Sequence, residues 1–237
     1  MGPQGPAGGA GQGVTVTQLA AGNANCPNGG AAVTSASGTA YVCNSSSGGS
    51  GPQVQPVIAD AATFAKVNDW AGLPSNHTWT LCYKATRDNV NPSFIAYTNY
   101  GAFPFHARCD NRGATFFVAK TAGGVLFGGY TAVAWTGSSG SCAWRIDAHA
   151  FLFSLTNNFK HEQTGDYPNM ETYDCYNYGP TFGAGHDFFT NLSTDAYVTL
   201  GSSYACRVGE PDSAECVNDF AGGPNPSMIE LEVYAAQ

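Results

Sequence analysis

The chain has 237 residues, a net charge of −8, 11% charged side chains and 13% aromatic ones. Nine lysines and arginines cannot make the basic stripe that phosphate recognition needs, so nucleic acid and anionic membrane surfaces are poor partners. No run approaches the ~18 apolar residues of a membrane span, and the apolar content is too high for a disordered chain.

The first residues read Gly2-Pro3-Gln4-Gly5-Pro6-Ala7-Gly8, with glycine at every third position. Three polyproline-like chains wind together only where the axial residue has no side chain, so residues 1–13 are read as a collagen-like segment. That reading implies a homotrimer and an extracellular or cell-surface setting; the alternative is a flexible Gly/Pro linker. Met1 stands directly before the repeat with no charged or apolar leader, which points to a longer parent chain or an added methionine.

Residues 14–50 read as a small β module. Val14-Thr15-Val16-Thr17-Gln18-Leu19 alternates as a strand does, and two further strands run from Ala31 to Thr34 and from Thr39 to Val42. A sheet this small cannot stand alone. A Cys26–Cys43 bridge would staple it, contributing about 3 kcal/mol for a loop of this size. The run Asn25-Cys26-x-x-Gly29-Gly30 followed by Tyr41-Val42-Cys43-Asn44 resembles a Cys-paired module found beside collagen-like tracts in bacterial surface proteins. The module is expected at the junction of stalk and head, where it would set the trimer register. Residues 51–59 continue the Gly/Ser-rich Ser45 to Pro52 stretch as a linker.

The large domain, 60–237, starts with a helical pattern (Ala61, Phe64, Val67) behind Asp60 as N-cap. Strands follow. Trp79 to Lys84 alternates, Thr115 to Lys120 and Val125 to Phe127 flank the turn Ala122-Gly123-Gly124, and Ala150 to Leu155 is nearly all apolar. Ile229 to Tyr234 closes the chain with strict alternation, read as one buried face and one acidic face. The fold class is mainly β: a two-sheet antiparallel β-sandwich with a few short flanking helices, plus the small disulfide-stapled module and the extended N-terminal collagen-like segment.

The eight cysteines are Cys26, Cys43, Cys82, Cys109, Cys142, Cys175, Cys206 and Cys216, with no C-x-x-C spacing. An even number without metal spacing points to disulfides in an oxidising compartment. Cys206–Cys216, close in sequence, is the one expected bridge in the large domain; the other pairings, among the 15 that six cysteines allow, stay open.

Several motifs then follow in order. Trp79-x-Leu81-x-Tyr83-x-Ala85-x-Arg87-Asp88 comes first, then Phe105-His106-x-x-Cys109-Asp110-x-x-Gly113-x-Thr115. Phe127-Gly128-Gly129-Tyr130-Thr131 with Trp135, the run Ala150 to Asn157, Tyr178-Gly179-Pro180-Thr181-Phe182-Gly183-x-Gly185-His186-Asp187 and Ile229-Glu230-Leu231-Glu232-Val233 complete the series. Together they resemble the TLDc family over 60–237. The resemblance implies two packed antiparallel sheets with short helices at the edges. It also implies a mostly eukaryotic, intracellular role in resistance to oxidation, with contacts to the vacuolar proton pump, and brings no agreed catalytic mechanism. This chain departs from that setting in its cysteines, its low charge and its collagen-like lead, and 89–103 looks like an insertion.

The candidate chemistry is thin. Gly183, Gly185, His186 and Asp187 could be an acid–base loop, but adjacent strand residues face opposite ways, and the expectation is tight turns with His186 and Asp187 bonded to nearby backbone. Gly128 and Gly129 are expected to let an aromatic ring of the facing sheet approach. Glu230 and Glu232 lie on one side of the last strand and are expected to be a solvated face. No metal or cofactor is expected: the histidines lack ligand spacing, and Asp110-Asn111 and Asp166 match no calcium loop. Sequons occur at Asn44, Asn76 and Asn191. Tyr97, Tyr100, Tyr173, Tyr176 and Tyr178 are the candidate contact surface. The expected function is non-enzymatic: an extracellular subunit of a collagen-like stalk, fibre or filament presenting the head domain to a glycan or protein. The alternatives are a carbohydrate-binding adhesin head and, behind it, an enzyme or antioxidant protein.

Overall fold

In a computed structural model the chain divides into two units, 1–55 and 56–237. The structure describes residues 14–21, 23, 25–26, 28–35, 38–43, 58–88, 103–137, 142–190 and 196–237. The collagen-like reading of 1–13, the sequons at Asn44 and Asn191, and Tyr97 and Tyr100 lie outside them.

In the first unit, β1 (Thr15–Ala21), β2 (Asn28–Ser35) and β3 (Gly38–Cys43) form an antiparallel meander in that order. Val16 lies opposite Val33, and Val33 opposite Ala40; Thr15 lies opposite Thr34, and Thr34 opposite Thr39. Successive side chains point to opposite faces, so Val16, Val33 and Ala40 share one face with Gln18 and Val42, and Thr15, Thr34 and Thr39 share the other with Ala32 and Tyr41. Cys26 is buried and disulfide-bonded. The Cys43 side chain lies outside the described residues, and with it the expected pairing.

The second unit begins with α1 (Ala61–Ala71), where Asp60 accepts from the Thr63 amide at 2.8 Å and Gly72 closes the helix at φ 66°. Then come β4 (Trp79–Lys84), α2 (Ala85–Asp88), α3 (Phe103–Cys109), β5 (Thr115–Thr121), β6 (Leu126–Thr131), β7 (Cys142–Arg145) and β8 (Phe151–Ser154). β9 (Phe159–His161), β10 (Thr172–Cys175), β11 (Thr181–Phe182), β12 (Phe188–Thr190), β13 (Ala196–Val198), α4 (Ala214–Ala221) and β14 (Met228–Ala236) complete it.

Two antiparallel sheets result, one ordered β4-β14-β5-β6-β8-β9 and one ordered β13-β12-β11-β10-β7. The last strand of the chain thus sits between β4 and β5, and its register closes the larger sheet. The core between the sheets is aromatic. Phe117 of β5 stacks on Phe188 of β12 with centroids 4.6 Å apart, and Phe182 lies 5.6 Å from Phe117. Alternation sends Phe116 and Tyr234 to the other side of the larger sheet, where Phe64 of α1 packs edge-on at 6.0 and 5.2 Å.

Gly129 permits the close packing expected of it: a Cβ there would stand 2.8 Å from Leu152 Cδ2 and 3.1 Å from Phe182 of the facing sheet. At Gly128 the filling ring comes from elsewhere. Phe153, on the neighbouring strand of the same sheet, occupies that space from the α1 side.

Three disulfides brace this unit. Cys206–Cys216 forms as expected, Cys82–Cys109 ties β4 to α3, and Cys142–Cys175 links the paired strands β7 and β10.

Candidate functional site

Glu230 and Glu232 are not a solvated face. Both are buried, whereas Ile229 beside them is 53% exposed. The cause lies in β4. Val233 pairs with Tyr83 and Tyr234 with Leu81, so Cys82 is an extra residue, a bulge. Trp79 and Leu81, before the bulge, face α1, and after it Lys84 takes that side while Tyr83 turns into the core between the sheets.

Lys84 therefore meets both carboxylates. Its Nζ lies 2.6 Å from Glu232 Oε1 and 3.1 Å from Glu230 Oε2. Every further carboxylate oxygen is also engaged. Glu232 Oε2 accepts from the Tyr234 hydroxyl at 2.8 Å and from the Ala59 amide at 3.3 Å. Glu230 accepts from the Thr86 hydroxyl at 2.5 Å and its amide at 3.2 Å. Next to them Asp88 accepts from the Lys84 amide at 2.8 Å and pairs with Arg87 at 2.7 Å and Arg108 at 3.3 Å. Burial raises the Asp88 carboxyl, but the Arg87 hydrogen bond and the two cations outweigh it and hold it low. Three cations thus balance three carboxylates. Burial and the Glu232 carboxylate push the Tyr234 phenol up, so it stays a donor. The arrangement ties β4, α2 and β14 together and leaves no free base.

A second buried polar group links α3 to the smaller sheet. His106 Nδ1 lies 2.7 Å from Asp110, and Nε2 lies 3.0 and 2.9 Å from the carbonyls of Cys175 and Tyr178. Both ring nitrogens face acceptors, an arrangement that the protonated ring, donating from both, satisfies in full. Burial opposes that charge, but the hydrogen bond and charge of Asp110 prevail and raise the ring's pKa.

The loop from Gly183 to Asp187 splits its two candidate acid–base residues. Gly183 and Gly185 take φ of 80° and 72°, as tight turns require. Asp187 is fully buried and does bond to backbone, accepting from the amides of Ser202, Ser203 and Tyr204 at 3.0, 2.6 and 2.8 Å. Burial pushes its carboxyl up to about 7 against the pull of those amides. His186 does not follow the expectation. It adopts a left-handed φ of 66°, and its Nε2 has no hydrogen-bond partner among the described residues. Its ring joins an aromatic surface instead, and burial pushes its pKa down.

That surface is the outer face of the smaller sheet. Trp144 lies opposite Tyr173 in register, with rings 4.7 Å apart. His186 stacks 5.9 Å from Trp144 and lies 5.4 Å from Tyr173 and 5.7 Å from Tyr178. Phe189 continues the row, 5.1 Å from Tyr178 and 6.2 Å from Tyr197. Tyr197 is exposed and the other rings are half-buried. The structure thus gathers Tyr173 and Tyr178 with His186, leaves the half-buried Tyr176 out of these ring contacts, and adds Trp144, Phe189 and Tyr197, which the sequence did not single out. Elsewhere a groove of about 320 Å³ runs between Trp70 and the Lys160–Glu162 pair, lined also by His149. Of the motif residues quoted from the sequence only Ala150 lines it, and none of the candidate site or contact residues does.

The TLDc domain profile matches residues 53–237. The chain belongs to the TLDc family. Within this TLDc protein, the motifs from Trp79 to Val233 supply β4, β6, β8 and β14 of the larger sheet, β11 of the smaller one, and Glu230 and Glu232 of the buried ion pairs. No curated protein matches the TLDc chain. No described helix of this TLDc protein is long and apolar enough to cross a membrane.

Proposed function

We propose that this protein is a non-enzymatic, extracellular structural or interaction protein: a collagen-like stalk subunit that carries a Cys-stapled module and presents a disulfide-braced TLDc head. The observation that carries the head's part is the aromatic row from Trp144 to Tyr197. Rings with an apolar body and a polar tip make contact surfaces, and the row's own side chains include no carboxylate, lysine or arginine. The candidate acids support a binding role over catalysis. Glu230 and Glu232 are held by Lys84, and Asp187 by three amides. Six cysteines of the head are in disulfides, whose sulfurs are no nucleophiles. Disulfides of this number suit an oxidising, extracellular location. In assembly, three heads on one stalk would convert weak single contacts into avidity. Light scattering on the full chain at micromolar concentration tests this: a trimer or larger fibre is expected, and a monomer overturns it.

A second reading is favoured by the same row. Half-buried tyrosine and tryptophan rings can stack on the apolar faces of sugar rings, making the head a glycan-binding adhesin. A glycan array is the check. Binding lost in W144A and Y178A supports it; no binding, or binding that survives both substitutions, removes it.

A further inference from the structure

The meander of residues 15–43 leaves an apolar face open. Val16, Val33 and Ala40 form one cross-strand row, and Gln18, Ala31 and Val42 the next. Val14 and Val16 are each 62% exposed and Val42 is 51% exposed. β-Branched side chains packed in rows are what a sheet buries, and a three-stranded sheet cannot bury them against itself. The opposite face is mixed: Thr15, Thr34 and Thr39 form one row on it, with the hydroxyls of Thr34 and Thr39 3.0 Å apart, and Thr17, the buried Ala32 and the 47% exposed Tyr41 form the next.

Two features of the sequence say what covers the valines. The Gly-X-Y run ends at the residues directly before Val14, and its rule is met only by three chains side by side. The chain also carries no Asp, Glu, Lys, Arg or His before Asp60, so all 26 of its Asp, Glu, Lys and Arg stand from Asp60 onward. Identical copies meeting around an axis set like charges against each other, and a charge-free segment removes that repulsion.

We infer that the valine face of the meander is a trimer interface, covered by two further copies of this chain immediately after the stalk. This rests on the stalk reading above. Three meanders packed through Val14, Val16, Val33 and Val42 bury together what each exposes alone, and they fix the register in which the Gly-X-Y strands start.

The test compares three full-length proteins by sedimentation velocity at micromolar concentration. The unaltered chain is expected to run as a trimer. V16K with V42K, which sets charge into the face, is expected to give a monomer. T17K with T39K, equally charged but on the opposite face, is expected to stay trimeric. The disulfide-braced head reports folding in each by its melting transition. A trimer in all three overturns the interface and leaves the stalk reading standing. Monomers in both variants overturn the assignment to the valine face. A monomeric unaltered chain overturns the interface and the stalk reading together.

Discussion

Lys84 reaches Glu232 only because Cys82 is bulged out of register. The 2.6 Å contact between Lys84 Nζ and Glu232 Oε1 is buried, with side-chain exposures of 3% and 0%. Replacing one partner of such a pair leaves an uncompensated charge in a low-dielectric site, at a cost of about 3–5 kcal/mol. K84M is therefore expected to unfold at much lower denaturant than the unaltered protein. K84M combined with E230Q and E232Q recovers a large part of the loss, because no buried charge is left alone. Urea midpoints at pH 7 measure both.

A pH effect follows from His106. Its pKa is raised in the folded state, so the proton binds more tightly there than in the unfolded chain. The stabilisation is complete below the ordinary histidine value near 6.5 and is lost as pH rises through the raised folded value. An NMR titration of the ring is expected to show a midpoint above the ordinary value, and D110N is expected to bring it down. Stability of the unaltered protein relative to D110N then narrows on the alkaline side of pH 6.5.

Gly129 leaves no room for a methyl group. The added Cβ of G129A would press on Leu152 and Phe117 at 2.8 Å, in the core between the sheets. Overpacking of this kind costs about 1–3 kcal/mol. Thermal melts are the measure. A substitution to alanine at Gly185, exposed and with nothing within 4 Å of its Cβ, meets no clash and is opposed only by its φ of 72°.

Asp187 gathers the 202–204 turn by accepting three amides through two oxygens. D187N keeps one acceptor and points an NH2 at donors, which leaves buried groups unmet. A loss of about 1–3 kcal/mol is expected from such an unsatisfied site. Hydrogen exchange at Ser203 and Tyr204 should accelerate in the variant, and unchanged exchange would contradict the role.

Much of the fold was legible locally. The Asp60 cap, the hairpin around Gly123-Gly124 and the apolar run of β8 each carry their signal within a few residues. α4 also has one, with Ser213 as N-cap and Gly222 behind it. The alternation of β14 was real, but its acidic side faces protein, since a bulge on a strand nearly 150 residues earlier decides where Lys84 points. The aromatic row was half legible. Tyr173 and Tyr178 stood out by composition, whereas Trp144 needed the antiparallel register. The Cys142–Cys175 bridge sits in that register, and counting two residues inward along each strand gives Trp144 against Tyr173. His186 joined the row through a left-handed turn that no local pattern of side chains specifies.

The Ile58 and Ala59 amides rest against Glu232 Oε2 at 3.4 and 3.3 Å, directly ahead of α1. Glu232 sits on β14, flanked by strands on both sides. Load entering this unit at Ile58 would thus reach a strand that can leave the sheet only by sliding against β4 and β5 at once. Force entering at an outer strand would instead peel bonds one by one.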